Sequence, residues 1–288
     1  MVAKTSDVLG TGPVFGINMA DRTKHALDAV HAATGCRPTW VQFFVSVAAG
    51  VTVEDIRKNP GTPLMSLEPW RAGEGPDQPD FTLRATIDGK WDREYLKIAR
   101  AVVQYRDVIM LRFAHEMNGR WYPWGPVAGN TPAEYTQAWR HVVALFRHAG
   151  ATNVLWVWSP NILRGAVKTP VDAYYPGNEW VDFVGVTGYG VREHSPEVTY
   201  AKTFAQIRAT TDKPIILTET GAQHGPAKLS WIRAFGPWLR ANPDVAGFVW
   251  SQRKRGQGGT ADWRFDDDPA NLAAFKATLS AGRVPCQP

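Results

Sequence analysis

Two glutamates stand at the ends of hydrophobic runs in this chain. The first lies in Leu111-Arg112-Phe113-Ala114-His115-Glu116-Met117-Asn118-Gly119-Arg120-Trp121-Tyr122-Pro123-Trp124-Gly125, where an apolar run over 108–113 reads as a buried strand and breaks off at His115 and Glu116. The second, Glu219, ends the run Pro214-Ile215-Ile216-Leu217-Thr218-Glu219-Thr220-Gly221. A carboxyl group at a strand tip among aromatic faces suits acid–base chemistry on a sugar ring. Two such groups are the minimum for hydrolysing a glycosidic bond. One protonates the departing oxygen, and the other attacks the anomeric carbon or activates water. In the retaining form the two carboxyl groups stand roughly 5–5.5 Å apart. Glu116 and Glu219 are 103 residues apart in sequence, so only the tertiary fold can join them.

Other residues could serve the same site. Arg112 precedes Glu116 by four positions, so strand alternation puts both on one face and aims the guanidinium beneath the site. A buried pair with some other carboxylate is the alternative for Arg112. Trp121 and Trp124 are expected to stack on sugar, because core aromatics rarely crowd a loop beside Gly and Pro; Trp70, Trp158 and Trp263 are further platforms. Glu68 is a third strand-end carboxylate, able to bind a hydroxyl or pair with an arginine. Asn118 either contacts substrate or turns the chain with Gly119. His115-Glu116 is not a zinc motif, because the second histidine of HExxH would fall at 119, a glycine. No metal or cofactor is expected.

Eight strand-like segments, over 14–18, 39–45, 64–68, 108–114, 154–159, 183–187, 215–219 and 246–251, must position these groups. Helical patterns lie between them, over 24–33, 53–58, 91–105, 131–148, 200–209, 227–240 and 268–279. Thr131-Pro132-Ala133-Glu134 reads as a capping box, and Asp268 as the cap of the last helix. The stretch 166–180 is poor in helix signal. This alternation predicts an α/β fold, one (β/α)8 barrel spanning residues 1–288. A doubly wound open sheet is disfavoured, because no Gly-rich loop follows the first strand. In a barrel, Asn18, Glu68, Trp70, His115, Glu116, Asn161, Tyr189, Glu219 and Trp250 all gather at the C-terminal rim, where barrel active sites form.

Composition narrows the field. With 288 residues, 44% of them apolar and 20% charged, the chain can bury a large core. No run of about 18 apolar residues suggests a membrane span. The net charge of +5 has no reading motif behind it, so nucleic acid is not an expected partner. The one tight basic cluster, Arg253-Lys254-Arg255, could edge a cleft. A monomer is expected. Cys36 and Cys286 follow the first and last helices, which neighbour each other in a closed barrel. A disulfide there would imply an oxidising, extracellular setting; two unrelated thiols are the other reading.

The pattern His115-Glu116-Met117-Asn118-Gly119-Arg120-Trp121, with Thr218-Glu219-Thr220-Gly221, resembles glycoside hydrolase family 26, a family of retaining (β/α)8 β-mannanases, β-1,3-1,4-glucanases and β-1,3-xylanases. The resemblance implies Glu116 as acid/base and Glu219 as nucleophile. It further implies that His115 contacts the sugar at the cleavage point, Tyr189 hydrogen-bonds the nucleophile and Trp250 floors the subsite. Pro123 departs from the aromatic run of typical mannanases, which keeps mixed-linkage glucan open beside mannan. Two other classes compete. A non-catalytic carbohydrate-binding barrel would keep the cleft, but both strand-end glutamates are present. A phosphate-binding barrel enzyme would want a Gly-rich site after the last strands, and Gly256-Gln257-Gly258-Gly259, its only hint, reads as a flexible loop.

Overall fold

The computed structural model describes residues 2–164, 169–193 and 195–286. Eight parallel strands close into a barrel in chain order: β1 (Val14–Met19), β2 (Trp40–Ser46), β3 (Thr62–Glu68), β4 (Ile109–Phe113), β5 (Val154–Trp158), β6 (Phe183–Gly190), β7 (Ile215–Ala222) and β8 (Val245–Gln252), with β1 paired to both β2 and β8. This is the expected (β/α)8 barrel, and the alternative of an open sheet is excluded. β6 and β7 run three residues further than their apolar stretches suggested.

The helices are α1 (Lys24–Thr34), α2 (Val53–Arg57), α3 (Leu83–Ile87), α4 (Asp92–Tyr105), α5 (Pro132–His148), α6 (Pro196–Thr210), α7 (Lys228–Ala241) and α8 (Pro269–Ala281). α3 was not foreseen: one turn is too short to show periodicity, although Thr82 caps it. Side-chain caps start α1 (Thr23), α5 (Thr131, in the expected box with Glu134), α6 (Ser195) and α8 (Asp268), each contributing about 1 kcal/mol. Between β5 and β6 the described residues form only 3₁₀ turns, Val171–Tyr174 and Asn178–Trp180, in keeping with the weak helix signal there; residues 165–168 lie outside the described residues.

Strand alternation sorts the apolar side chains into two layers. Trp40, Leu64, Met110, Phe183, Ile216 and Val249 pack inside the barrel, while Met65, Leu111, Leu217, Phe248 and Trp250 face the helices. Further toward the C-terminal ends, the inward positions turn polar: Gln42, Ser66, Arg112, Ser159, Thr187 and Thr218 are all fully buried. The disulfide between Cys36 and Cys286 forms, joining the segments after α1 and α8 across 250 residues of sequence. Among the described residues, no helix is long and apolar enough to cross a membrane.

Candidate active site

A buried arginine organises the barrel mouth from below. Arg112 Nε donates to Ser66 Oγ at 3.0 Å, and Nη1 donates to Thr187 Oγ1 at 3.1 Å and Thr218 Oγ1 at 3.2 Å. Nη2 donates to Glu219 Oε1 at 2.5 Å and to the Gln42 amide oxygen at 2.7 Å, while the Gln42 amide nitrogen donates to the Thr218 carbonyl at 3.1 Å. Four other strands thus satisfy one guanidinium, as a fully buried charge requires.

Glu219 reaches this position through a fault in β7. Leu217 pairs with Val186 but Glu219 pairs with Thr187, so Thr218 is an extra residue in the ladder. Strict alternation would send Thr218 and Glu219 to opposite faces. The bulge lets both meet Arg112, in the way bulges re-aim side chains near functional sites. The second carboxylate oxygen of Glu219 accepts from Tyr189 Oη at 2.9 Å.

Glu116 arrives by another route than the expected one. β4 ends at Phe113, so alternation carries Arg112 inward and says nothing about Glu116. Ala114 (φ 43°) and Glu116 (φ 54°) both sit in the left-handed region, which costs a non-glycine residue roughly 1–2 kcal/mol. Neighbouring strands hold them there. The Ala114 N–H donates to the Leu67 carbonyl at 3.0 Å and the Glu116 N–H to that of Ser159 at 2.7 Å. The Glu116 carbonyl in turn accepts from the Gly119 N–H at 2.8 Å.

The three carboxyl groups have different surroundings. Glu116 Oε2 accepts from Trp121 Nε1 at 2.5 Å, and the Asn161 side chain also bonds it. Burial, reinforced by the charge on Glu219, nevertheless pushes the Glu116 carboxyl up to about 7. Burial likewise pushes Glu68 up to about 7, against the Trp70 indole N–H that donates to its Oε2 at 3.1 Å. His115 is buried beside Arg112, and burial foremost depresses its protonation well below the usual range, leaving a neutral ring. Its Nε2 lies 3.2 Å from Tyr122 Oη and 3.9 Å from Glu68 Oε1.

A cavity of about 480 Å³ opens over these groups, a size typical of small-molecule sites. Of the residues expected at the site, Glu116, Glu219, Glu68, Trp121 and Tyr189 line it. Arg112 and His115 lie beneath, and Trp70 stands behind Glu68. Asn118 exchanges two 2.8 Å hydrogen bonds with the backbone of Asn161 and so clamps one loop to the next.

Three expected platforms are corrected. Trp124 is 1% exposed; its indole donates to the His115 carbonyl at 2.7 Å and its ring stacks on Tyr122 at 4.3 Å, so it braces the loop. Trp250 is fully buried among Trp231, Phe235 and Phe275, because the next residue inward after Val249 is Ser251. Ser251 lines the cavity in its place, together with Trp263 from the following loop, whose ring lies 4.3 Å from that of Tyr189. Trp158 is likewise fully buried. Tyr122, Phe44, Asn18, Asn161 and Arg253 also line the cavity. Asn18 and Asn161 were visible as strand-end residues and Arg253 as part of the basic cluster, whereas Phe44 lies inside an apolar run that hides it.

One carboxyl that holds a proton near neutrality and one carboxylate held by a guanidinium and a phenol, facing one cavity, can deliver a proton and a negative charge to the same bound ring. Among the described residues, no three acidic, histidine or cysteine side chains converge as metal ligands would.

The chain resembles known proteins in sequence and in fold. The chain is 32% identical over 238 residues to Endoglucanase H of Acetivibrio thermocellus, covering 78% of this chain and 25% of that protein. It is 27% identical over 236 residues to a mannan endo-1,4-beta-mannosidase of Bacillus subtilis strain 168, covering 73% of this chain and 62% of that one. The chain therefore spans about a quarter of the first relative and under two thirds of the second. The catalytic domain of a Bacillus sp. JAMB-750 endo-beta-1,4-mannanase has the same fold, with a TM-score of 0.72 at 17% identity over 97% of this chain and 88% of that one. Residues 78–254, which carry both the Glu116 turn and the Glu219 strand, match the model for glycosyl hydrolase family 26, and the chain belongs to that family.

Proposed function

We propose that this chain is a retaining endo-β-glycosidase acting on a β-linked polysaccharide, either β-mannan or β-1,3-1,4-glucan. Glu116 is the acid/base and Glu219 the nucleophile. The observation that carries this reading is the contrast between the two carboxyls on one cavity: Glu116 pushed up to about 7, Glu219 bonded to Arg112 and Tyr189. In the first step Glu116 gives its proton to the glycosidic oxygen while a Glu219 oxygen bonds to the anomeric carbon, and the aglycone leaves. In the second, Glu116 takes a proton from water, which attacks the same carbon and frees Glu219. Tyr189 and Arg112 orient the nucleophile from two sides. Trp121 and Trp263 offer aromatic surface to the sugar. The relatives' names include both an endoglucanase and a mannosidase, which supports keeping both polymers. The disulfide supports action outside the cell.

The test is reducing-end release from a panel of mannan, mixed-linkage glucan and β-1,3-xylan, beside Glu116→Ala and Glu219→Ala. Each variant is expected to lose activity by at least about 10²-fold with folding intact. NMR of the first product should show the β-anomer. Undiminished hydrolysis by either variant would remove that residue from its role, and an inverted product would remove the double displacement. Tight binding of a polymer without turnover would favour the non-catalytic barrel.

A further inference from the structure

At the β1–β8 edge of the cavity, two cations form no direct ion pair among the described residues. Arg253 follows β8 and reaches across to β1. Its Nε donates to Asn18 Oδ1 at 2.7 Å, Nη2 to the Met19 carbonyl at 3.1 Å, and Nη1 to the Gln257 carbonyl at 2.9 Å. All three acceptors are neutral. A guanidinium has five N–H groups, so two remain on a side chain that lines the cavity. Arg22, half-buried in the β1–α1 loop, packs its guanidinium 4.8 Å from the Phe43 ring centre and has no hydrogen bond or ion pair among the described residues. Burial, foremost, and the charge of Arg253 oppose the charge on Arg22 and outweigh the favourable charge of Asp55. Arg37, Arg164, Arg208 and Arg264 each pair with a carboxylate, whereas Arg140 and Arg147 on the outer surface, like Arg253 at the cavity, donate only to carbonyl oxygens.

The wall beside Arg253 is kept clear. Gly258 has φ 82°, and a Cβ there would stand 2.6 Å from Arg253 Nη1. Gly259 and Thr260 continue the same wall. Withdrawing a guanidinium from water without a partner is costly, and the planar fork matches a carboxylate, which can take two parallel hydrogen bonds.

We propose that this edge is a subsite for a carboxylate carried by the glycan, with Arg253 as the residue that selects it and Arg22 as its supporting charge. It extends the reading of the chain as a glycosidase. The substrate class becomes an acidic β-glycan, or a neutral one bearing acidic sugars, whose carboxylate sits on the Glu219 side of the cavity, where Arg253 feels the charge of Glu219. A uronate and a pyruvyl ketal present the same chemistry.

The test is calorimetric titration onto the Glu116→Gln protein, which keeps the ligand intact. The probes are an oligosaccharide of C6-oxidised β-1,4-glucan, the same oligosaccharide after carboxyl reduction, and a pyruvylated β-mannan oligosaccharide. The oxidised form is expected to bind at least about tenfold more tightly than the reduced form, with the preference shrinking as salt rises. Adding Arg253→Gln should abolish the preference, and Arg253→Lys should keep part of it. Arg22→Gln, which breaks none of the bonds that Arg253 makes, should weaken it several-fold and stands in should Arg253→Gln fail to fold. The pyruvylated probe shows which carboxylate source fits better. Equal binding of the oxidised and reduced forms, or a preference undiminished in these variants, overturns the subsite. Hydrolysis of the neutral panel by the unaltered protein is scored separately. Turnover without a carboxylate preference sinks the subsite alone, and a carboxylate preference without turnover sinks the glycosidase reading alone.

Discussion

Replacing Trp121 by Phe isolates the link between a hydrogen bond and a pH profile. The indole N–H donates to Glu116 Oε2 at 2.5 Å and so favours the ionised carboxyl. Phe keeps an aromatic face for sugar but removes the donor, so the carboxyl should hold its proton to higher pH. A hydrogen bond to a charged group contributes about 1.5–3 kcal/mol. Trp121 is 41% exposed, so water can take over part of the donor's work, and the lower end applies. At 1.36 kcal/mol per unit, the shift is about one pH unit. The proton-holding form of Glu116 is lost near 7 in the unaltered protein. The alkaline limb of kcat/KM should therefore lie near 7 and move up by about one unit in Trp121→Phe. The assay is initial-rate reducing-end release from a soluble substrate well below saturation, from about pH 5 to about pH 10. Glu68, also pushed up to about 7, takes its donor from Trp70 instead, so Trp70→Phe is the control. A limb that stays fixed in Trp121→Phe, or follows Trp70→Phe, would refute the assignment of the limb to Glu116.

Three further outcomes test the scaffold. Arg112→Met strips the buried partner from Glu219 and leaves Ser66, Thr187 and Thr218 without their donor, so denaturant titration should show a loss of about 3–5 kcal/mol. Gly119→Ala should keep the melting temperature within a few degrees but cut activity, because the new Cβ would run into the Trp121 indole and swing it off Glu116; unchanged kcat/KM would contradict this. Replacing Cys36 and Cys286 by Ser frees a loop of 250 residues and should cost up to about 5 kcal/mol in thermal or chemical unfolding, with kcat nearly unchanged because the bond lies far from the mouth.

The fold was largely legible because buried parallel strands read as apolar runs and helix starts carry cap residues such as Thr131 and Asp268. The site was legible where it coincided with strand ends. It was not legible where the backbone departs from regular geometry. Nothing in Leu217-Thr218-Glu219 marks a bulge, since no Gly or Pro stands there, yet the bulge is what lets Thr218 and Glu219 share Arg112. Glutamate is an uncommon choice for left-handed backbone, so the turn at 116 leaves no trace in residue type. Trp121 and Trp124 are three positions apart and equally aromatic, yet one faces the cavity and the other the core, because the loop path decides which. Trp250 was misplaced for another reason: a role drawn from resemblance overrode the alternation that puts Val249 inside and Trp250 out.

With Glu116 as the proposed acid/base, its left-handed turn sets folding and chemistry against each other at one position. Glycine there would relieve roughly 1–2 kcal/mol of backbone strain and remove the buried carboxyl at the same stroke. Any selection for heat resistance alone, such as a library screened for survival on boiling, should therefore drift toward glycine at 116 and enrich robust but inert barrels. The hardiest descendants of this chain would be the ones that had forgotten their trade, unless turnover is scored in the same round.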